Sequence, residues 1–172
     1  MQTTETIEPT DRRCVVLRRV APTDAAALER LLAAHGLPRD GVGEWLDHFW
    51  LAERDGTVVG AAGVELYGEA ALLRSVAVDP AWRGSGLGRL LTERALEEAQ
   101  AAGARDVYLL TTTAERYFPR LGFACTAREA APPALAASAE FRGACPESAV
   151  LMHRCLRSAP DCTAAQQPQD VS

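Results

Sequence analysis

The sequence predicts a single α/β domain with a mixed, mostly antiparallel central sheet and helices on both of its faces. Two apolar segments, residues 49–53 and 57–66, flank Asp55-Gly56, a dipeptide that favours the tight turn of a β-hairpin. A third apolar segment, residues 71–78, runs into a glycine-rich loop and then into an amphipathic helix. The chain has 172 residues, 48% of them hydrophobic, which suits one domain with a sizeable core.

Both ends of the chain are predicted to be flexible tails. Residues 1–11 and 158–172 are rich in Thr, Gln, Pro and Asp and contain little that a core could bury. We therefore place the folded domain at residues 12–157.

The first part of the domain is predicted to contain one strand and two helices. Residues 14–20 alternate in polarity as a strand does. Pro22-Thr23-Asp24 is a typical helix start for residues 25–35, and Gly36 ends that helix. A second, short helix follows at residues 43–48, just before the hairpin.

The second half of the domain begins with the helix after the glycine-rich loop, whose apolar side carries Leu87, Leu91, Ala95 and Ala99. Residues 106–112 are predicted to form a buried strand, and residues 114–121 a short helix with Gly122 as its C-cap. The last strand is expected at residues 148–154. An insert rich in Ala and Pro, residues 131–139, precedes this strand, and we expect it to border the substrate.

The bulk charge argues against two classes of partner. The net charge is −5 and the isoelectric point is near 5.2, so the chain offers no basic field to nucleic acid or to an anionic membrane. Its longest apolar runs are far shorter than a membrane span, and residues 1–10 are polar and acidic. We therefore expect a cytoplasmic protein that binds neither nucleic acid nor membranes.

The cysteines do not indicate a metal site. There are five, at positions Cys14, Cys125, Cys145, Cys155 and Cys162. They include no close Cys-x-x-Cys pair and no His at zinc-ligand spacing. We expect reduced, mostly structural thiols and no metal cofactor.

The loop between the third apolar segment and its helix has the composition of an anion-binding site. It reads Arg83-Gly84-Ser85-Gly86-Leu87-Gly88. A helix start leaves backbone N–H groups unpaired and carries partial positive charge, and glycines let a phosphate approach those groups. The dinucleotide fingerprint does not fit, because Arg89 stands where its third glycine belongs, and no Lys completes a P-loop.

The loop and its surroundings resemble the GNAT acetyltransferase superfamily. The shared features are an Arg-x-x-Gly-x-Gly loop after a strand ending in Val78-Asp79-Pro80, and a later helix ending in Leu121-Gly122-Phe123. The resemblance implies acetyl-CoA as co-substrate and a V-shaped splay in the sheet that admits its pantetheine arm. It also implies CoA-binding residues at Val76, Ala77, Val78, Arg83, Gly84, Ser85, Gly86, Leu87, Gly88 and Phe118.

The groups that would move protons are less sharply indicated. Many members of the family carry a catalytic Tyr where this sequence has Phe118, and Tyr117 stands one residue earlier. Tyr117 is therefore the candidate acid. The alternatives are that Tyr117 only packs and that water protonates the thiolate. Some relatives place a catalytic Glu where this sequence has Leu72-Leu73, so Glu65 is the substitute base. Its alternatives are a solvated carboxylate or deprotonation through ordered water. Thr112 is the third candidate, as a hydroxyl that orients the amine.

Further resemblances narrow the acceptor. Residues 110–113, with the aromatic pair that follows, look like the acetyltransferase domain of N-acetylglutamate synthase, whose acceptor is an amino-acid α-amine. Residues 72–78, 111–114 and 141–149 look closest to the ArsN-type arsenic-resistance N-acetyltransferases. Together they imply a small, amino-acid-like amine acceptor, with an arsenical as one candidate. The residues proposed to hold it are Arg74, Ser75, Thr111, Arg142 and Ser148.

Two points stay open at this stage. Arg74 either binds the acceptor carboxylate or is an ordinary strand residue paired with an acid. Members of the family often form homodimers that complete the acceptor pocket, so a homodimer is one expectation.

A binding protein is the competing hypothesis. A GNAT fold could sense acyl-CoA without turning it over, or Cys145, Cys155 and Cys162 could trap a trivalent arsenical. The missing Tyr at position 118 and the open identity of the base favour this alternative. Against it, Cys162 lies in a predicted tail, and capture needs thiols that converge in one pocket.

Overall fold

A mixed β-sheet forms the centre of the computed structural model, which describes residues 5–7 and 14–156. Its strands are β1 (Glu5–Ile7), β2 (Val15–Arg19), β3 (Phe49–Arg54), β4 (Thr57–Tyr67), β5 (Ala70–Val78), β6 (Asp106–Thr111), β7 (Ala124–Cys125) and β8 (Val150–Cys155). Their order across the sheet is β1-β2-β3-β4-β5-β6-β8-β7. Neighbouring strands are antiparallel except β5 and β6, which are parallel. The predicted mixed, mostly antiparallel sheet is confirmed.

Two α-helices cover opposite faces of this sheet, α1 (Ala25–Ala34) and α2 (Leu87–Ala101). Leu28 of α1 shares one apolar cluster with Leu51 of β3. Ala52, the next residue along β3, belongs to the cluster that α2 joins through Leu87, Leu91, Ala95 and Ala99. Because successive strand residues point to opposite faces, the helices lie on both sides of the sheet, as predicted.

Short helical turns connect the larger elements. They are 3-10 turns at Pro22–Asp24, Val42–His48, Pro80–Trp82, Phe118–Leu121, Arg128–Ala130 and Pro133–Ala137, and an irregular π-type turn at Glu140–Ala144. The short helices predicted at residues 43–48 and 114–121 are therefore 3-10 turns. Gly122 ends the second of them with a φ of 81°, which fits its predicted role as the cap.

A β-bulge interrupts the pairing of β4 with β5 beside Ser75. Gly63 lies opposite Arg74 and Ala61 lies opposite Ala77, so two residues of β5 face one residue of β4. Ser75 has a φ of 57°, in the left-handed region that non-glycine residues seldom occupy. Bulges and backbone outliers of this kind are frequent beside functional sites.

Strands β5 and β6 form the predicted V-shaped splay. They pair only through residues 70–72 of β5, opposite residues 106–108 of β6. In the rest of the described strands the two separate, while β6 pairs with β8 along its whole length. A cleft therefore opens along residues 73–78 of β5, whose edge on this side has no strand partner among the described residues.

The ends of the chain differ in part from the prediction. Residues 5–7, predicted to belong to a flexible tail, instead form β1 and pair with β2. The pairing satisfies backbone groups along the edge of β2. Residues 1–4, 8–13 and 157–172, which include most of the two predicted tails, lie outside the described residues. Within the described part of the chain, each helix is too short or too polar to span a membrane.

Candidate active site

The predicted anion loop connects β5 to α2 and faces open space. The Asp79 carboxylate accepts a hydrogen bond from the N–H of Ala81 at 2.9 Å and so begins the turn at Pro80–Trp82. Gly84 and Gly86 have φ values of 79° and 84°, which glycine adopts without strain. A Cβ at either glycine would meet no other atom within 4 Å. An anion can therefore approach the unpaired N–H groups at the start of α2.

Ser85 stabilises the loop from within. Its hydroxyl donates to the carbonyl of Trp82 at 2.6 Å and accepts from the N–H of Leu87 at 3.4 Å. Because these bonds occupy the hydroxyl, the side chain holds the turn together. The predicted contact between Ser85 and CoA stays a prediction.

One cleft of about 760 Å³ runs from this loop into the opening between β5 and β6, and we call it the β5–β6 cleft. Its size is that of a typical small-molecule site. Most of the predicted site residues line it, namely Arg74, Ser75, Val76, Ala77, Val78, Arg83, Gly84, Gly86, Leu87, Gly88, Thr111, Thr112, Tyr117 and Phe118.

Four predicted site residues do not line the β5–β6 cleft: Glu65, Ser85, Arg142 and Ser148. Arg142 and Ser148 are exposed, although both were proposed to hold the acceptor. The turn at Glu140–Ala144 explains this difference, because it buries Glu140 and leaves Arg142 in solvent. None of the residues of the insert, 131–139, lines the cleft; the segment that follows it does so, through Glu140, Ala144 and Cys145 among others.

Tyr117 reaches the wall of the cleft beside α2. A Cβ at Gly88 would lie 2.9 Å from the Tyr117 hydroxyl, so the glycine leaves room for that group. The hydroxyl is buried and has no hydrogen-bond partner among the described residues; Thr92, beside it, donates to the carbonyl of Gly88 at 2.8 Å. Burial raises the pKa of Tyr117. Tyr117 precedes the 3-10 turn at Phe118–Leu121 and does not lie in an α-helix, so α-helical spacing does not relate its direction to that of Phe118.

Phe118, at the position where many relatives carry Tyr, packs into the core. Its ring meets the rings of Phe123 and Tyr117 edge to face, with centroids 5.7 Å and 5.2 Å apart. The ring thus fixes the turn at Phe118–Leu121 while one side of it contributes to the cleft.

Arg74 and Glu65 form a buried ion pair beneath the far end of the cleft. Nη1 of Arg74 donates to Glu65, and the Tyr67 hydroxyl donates to the other carboxylate oxygen of Glu65. Nη2 of Arg74 donates to the carbonyls of Asp40 at 2.8 Å and Pro38 at 3.3 Å. The guanidinium is therefore occupied by the protein itself, which supports the alternative that Arg74 is paired with an acid.

Glu140 is a cleft residue that the sequence did not reveal. Its side chain lies in the cleft wall with the residue 4% exposed, and one carboxylate oxygen is 3.6 Å from Nε of Arg74. Burial, which disfavours the charged form, raises the pKa of Glu140 from its ordinary value of 4.5 to about 7. The sequence showed only an acid after an Ala/Pro-rich insert, without any sign that it would be buried.

His35 is a second cleft residue that sequence reasoning missed. It follows the last residue of α1, and its Nε2 lies 3.0 Å from the carbonyl oxygen of Val78. The contact requires the tautomer with a proton on Nε2, which donates to that carbonyl. His35 thus holds the end of β5 where the strand turns into the anion loop.

Thr111 and Thr112 differ in their surroundings. The Thr111 hydroxyl is buried and accepts hydrogen bonds from the N–H groups of Ala114 at 2.9 Å and Thr113 at 3.4 Å, so it shapes the turn after β6. Thr112 is exposed along the cleft. Of the two, Thr112 offers the freer hydroxyl.

The two trap cysteines that the structure describes, Cys145 and Cys155, do not offer a pair of free thiols in the cleft. Cys145 lies in the cleft wall and hydrogen-bonds to Glu140, and burial raises its pKa to about 12, so it is a protonated thiol. Cys155 is disulfide-bonded, which corrects the expectation of reduced thiols at that position. Cys162 lies outside the described residues. Among the described residues, no cluster of three or more His, Cys, Asp and Glu side chains could hold a metal ion.

The chain is similar to known acetyltransferases. The model of the acetyltransferase (GNAT) domain matches residues 45–125 of the chain. An amino-acid acetyltransferase of Mycobacterium tuberculosis is 34% identical over 128 residues, which cover 69% of this chain and 72% of that protein.

Solved structures show the same fold. The N-acetylglutamate synthase of Neisseria gonorrhoeae, solved with coenzyme A and N-acetyl-glutamate, has a TM-score of 0.70 and 22% identity, covering 84% of this chain and 35% of its own. A Mycobacterium tuberculosis protein solved with CoA and NLQ has a TM-score of 0.68 and 23% identity, covering 83% and 99%.

Proposed function

This chain belongs to the GNAT family of acetyltransferases and uses acetyl-CoA as its co-substrate, and we propose that it transfers the acetyl group to the α-amine of a small amino acid. The observation that carries the proposal is one continuous cleft that joins the anion loop to a buried carboxylate, Glu140. The first end suits the donor, and the second suits a cationic acceptor.

The donor end has the features that CoA requires. The diphosphate would contact the N–H groups at the start of α2, with Gly84 and Gly86 leaving the approach open and Arg83 adding a full positive charge. The pantetheine arm would lie along the unpaired edge of β5, in the manner of an added strand. Val76, Ala77 and Val78 line the cleft at that edge.

The charges at the acceptor end favour an amine. Arg74 is paired with Glu65, so Glu140 adds a second carboxylate beside a cation that is already engaged. The cluster carries a net negative charge when Glu140 is ionised. An ammonium group can supply the balancing positive charge, whereas a carboxylate placed there would be repelled.

Support for an amino acid in particular comes from the relatives. The Mycobacterium tuberculosis protein is named an amino-acid acetyltransferase, and the Neisseria gonorrhoeae structure contains N-acetyl-glutamate. In this chain Arg74 is already paired with Glu65, so other groups would have to hold the acceptor carboxylate. We propose that the hydroxyls of Ser75 and Thr112, which line the cleft, donate hydrogen bonds to that carboxylate. Arg142 and Ser148 could reach an acceptor only if the exposed face that carries them contributes to a homodimer.

Tyr117 is the proposed acid for the departing thiolate. Tyr117 lines the same cleft, and its hydroxyl, which is buried beside Gly88, has no hydrogen-bond partner among the described residues. A raised pKa keeps it protonated at neutral pH, which is the form that an acid needs.

Release of free CoA from acetyl-CoA tests the proposal. The panel comprises L-amino acids, an arsenical amino acid, polyamines, peptide N-termini, the matching amines without a carboxylate, and N-acetylated amino acids as blocked controls. We expect turnover with one or more amino acids, about tenfold lower kcat/KM for the matching simple amines, and none for the blocked controls. Measurable acetyl-CoA binding without turnover of any amino acid would contradict it. The arsenical member of the panel tests the resemblance to the ArsN-type group separately.

A further inference from the structure

We infer that Glu140 is the residue that accepts the proton from the acceptor's ammonium group, and that Arg74 positions its carboxylate. The inference rests on the proposed function, because it concerns the amine end of the same cleft. It replaces Glu65, the base expected from the sequence, with a residue that lies in the cleft wall.

The backbone around Glu140 holds it in place. The N–H of Glu140 donates to the hydroxyl of Ser138 at 3.2 Å, and the N–H of Cys145 donates to the carbonyl of Glu140 at 3.2 Å. The N–H of Ala144 also donates to the carbonyl of Ala139 at 3.0 Å. The turn is therefore closed at both ends, and its first side chain enters the cleft wall in a defined position.

Glu65 is poorly suited to the same task. Both of its carboxylate oxygens already accept hydrogen bonds, one from Arg74 and the other from Tyr67. It is 1% exposed and does not line the cleft. An amine bound in the cleft would meet Glu140 first.

The charged and titratable groups that face Glu140 come from three elements. Arg74 of β5 lies at 3.6 Å, Glu65 of β4 adds a like charge, and the Cys145 thiol hydrogen-bonds to the carboxylate from the end of its own turn. Together with burial they leave the pKa of Glu140 at about 7. A base with this pKa is available as the anion at neutral pH and still binds a proton readily, the balance that favours general base catalysis.

The proposed step conserves atoms and charge. The ammonium gives one proton to the Glu140 carboxylate, which becomes a neutral acid and later releases that proton to solvent. The freed nitrogen lone pair forms a C–N bond to the thioester carbonyl carbon. The C–S bond breaks and its electron pair stays on sulfur. The thiolate takes a proton from its acid, proposed above as Tyr117, and the second proton lost by nitrogen restores that acid. The products are the N-acetyl amine, CoA with a free thiol, and one proton.

The test is the pH profile of kcat/KM for Glu140→Gln in the full chain, with Glu147→Gln as the matched control. Glu147 is an exposed carboxylate that does not line the cleft. The wild type should lose activity as pH falls through about 7, because the base becomes protonated. Glu140→Gln should lose this acidic limb and about a hundredfold in kcat/KM at neutral pH, while acetyl-CoA binding is unchanged. Glu147→Gln should match the wild type.

Two further measurements separate a proton acceptor from a structural residue. Glu140→Asp, which keeps the carboxylate, should retain an acidic limb even if it is slower. The loss caused by Glu140→Gln should shrink for acceptors whose amine is already neutral at the assay pH, because they need no base.

Each outcome has a distinct meaning. If Glu140→Gln binds acetyl-CoA but keeps the wild-type limb and rate, the inference is wrong and the proposed function stands. If Glu140→Gln does not fold, loss of the limb in Glu140→Asp overturns the inference and its retention supports it. If the wild type acetylates an amine that is not an amino acid, the proposed acceptor is wrong and the Glu140 test proceeds with that amine. If it acetylates no amine, both fail.

Discussion

Nε of Arg74 lies 3.6 Å from a carboxylate oxygen of Glu140, and both side chains are almost completely buried. The same guanidinium donates to Glu65 through Nη1. One cation therefore faces two acids, and a change in either acid alters the field at the other. A substitution of Glu65, which lies outside the cleft, should therefore change the pKa of Glu140 inside it.

Glu65→Gln should move the acidic limb of the kcat/KM profile to lower pH. Removing Glu65 removes a like charge that raises the pKa of Glu140, and it frees Arg74 to stabilise the Glu140 carboxylate. Steady-state rates measured across the pH range would show the midpoint of the limb. A limb that disappears instead would assign the base to Glu65, as the sequence suggested.

Glu140→Gln should stabilise the protein at alkaline pH relative to the wild type. The folded-state pKa of Glu140 is raised from 4.5 to about 7, so the unfolded chain loses this proton first, and the folded state becomes less stable as pH rises between the two values. The difference in unfolding free energy between variant and wild type should grow by about 2.5 kcal/mol between about pH 5 and about pH 8. Urea unfolding at both pH values measures it, and a difference that does not change with pH would show that the carboxylate is not buried as an acid.

Gly86→Ala should weaken acetyl-CoA binding at least tenfold, which corresponds to about 1.4 kcal/mol of binding free energy. Gly56→Ala should leave the binding unchanged. Both glycines have positive φ, 84° and 76°, and neither would place a Cβ within 4 Å of another atom. Both variants should therefore lose a similar stability, about 1 kcal/mol, from backbone strain. Only Gly86 lies in the cleft. Calorimetric titration with acetyl-CoA distinguishes them, and equal affinities would refute the anion loop.

Tyr117→Phe should lower kcat about tenfold to a hundredfold with little change in stability. The lost hydroxyl has no partner among the described residues, so no hydrogen bond is broken by its removal. Tyr67→Phe provides the contrast, because its hydroxyl donates to Glu65 and its loss should cost about 1 kcal/mol. A kcat of Tyr117→Phe within twofold of the wild type would instead favour protonation of the thiolate by water.

Local signals predicted the fold and the donor end of the cleft. Asp55-Gly56 forms the β3–β4 turn, and both residues have positive φ, as the hairpin signal implies. The glycine loop and the splay of β5 from β6 were expected from a motif confined to adjacent residues together with the family resemblance. The turn and the loop depend on neighbours in the sequence, so they could be predicted without the structure, whereas the splay was implied by the resemblance.

The acceptor end depends on contacts between distant residues and could not be predicted in the same way. Glu140 gains its burial and its raised pKa from a turn packed against Arg74, and no local pattern marks such a turn. For Tyr117 the sequence left the acid and a packing role open, because α-helical geometry would turn it away from the position of Phe118, whereas the residue precedes a 3-10 turn. Arg142 was proposed as a cation for the acceptor carboxylate, but the turn leaves it exposed.

The most direct test of the central claim is to identify the product formed from an L-amino acid and carbon-13-labelled acetyl-CoA. Nuclear magnetic resonance and mass spectrometry can locate the labelled acetyl group and compare its amount with the free CoA released. We predict an acetyl group on the α-nitrogen in equal amount to free CoA. Release of CoA with labelled acetate as the product, or transfer of the label to another atom, would contradict acetylation of an amino-acid α-amine.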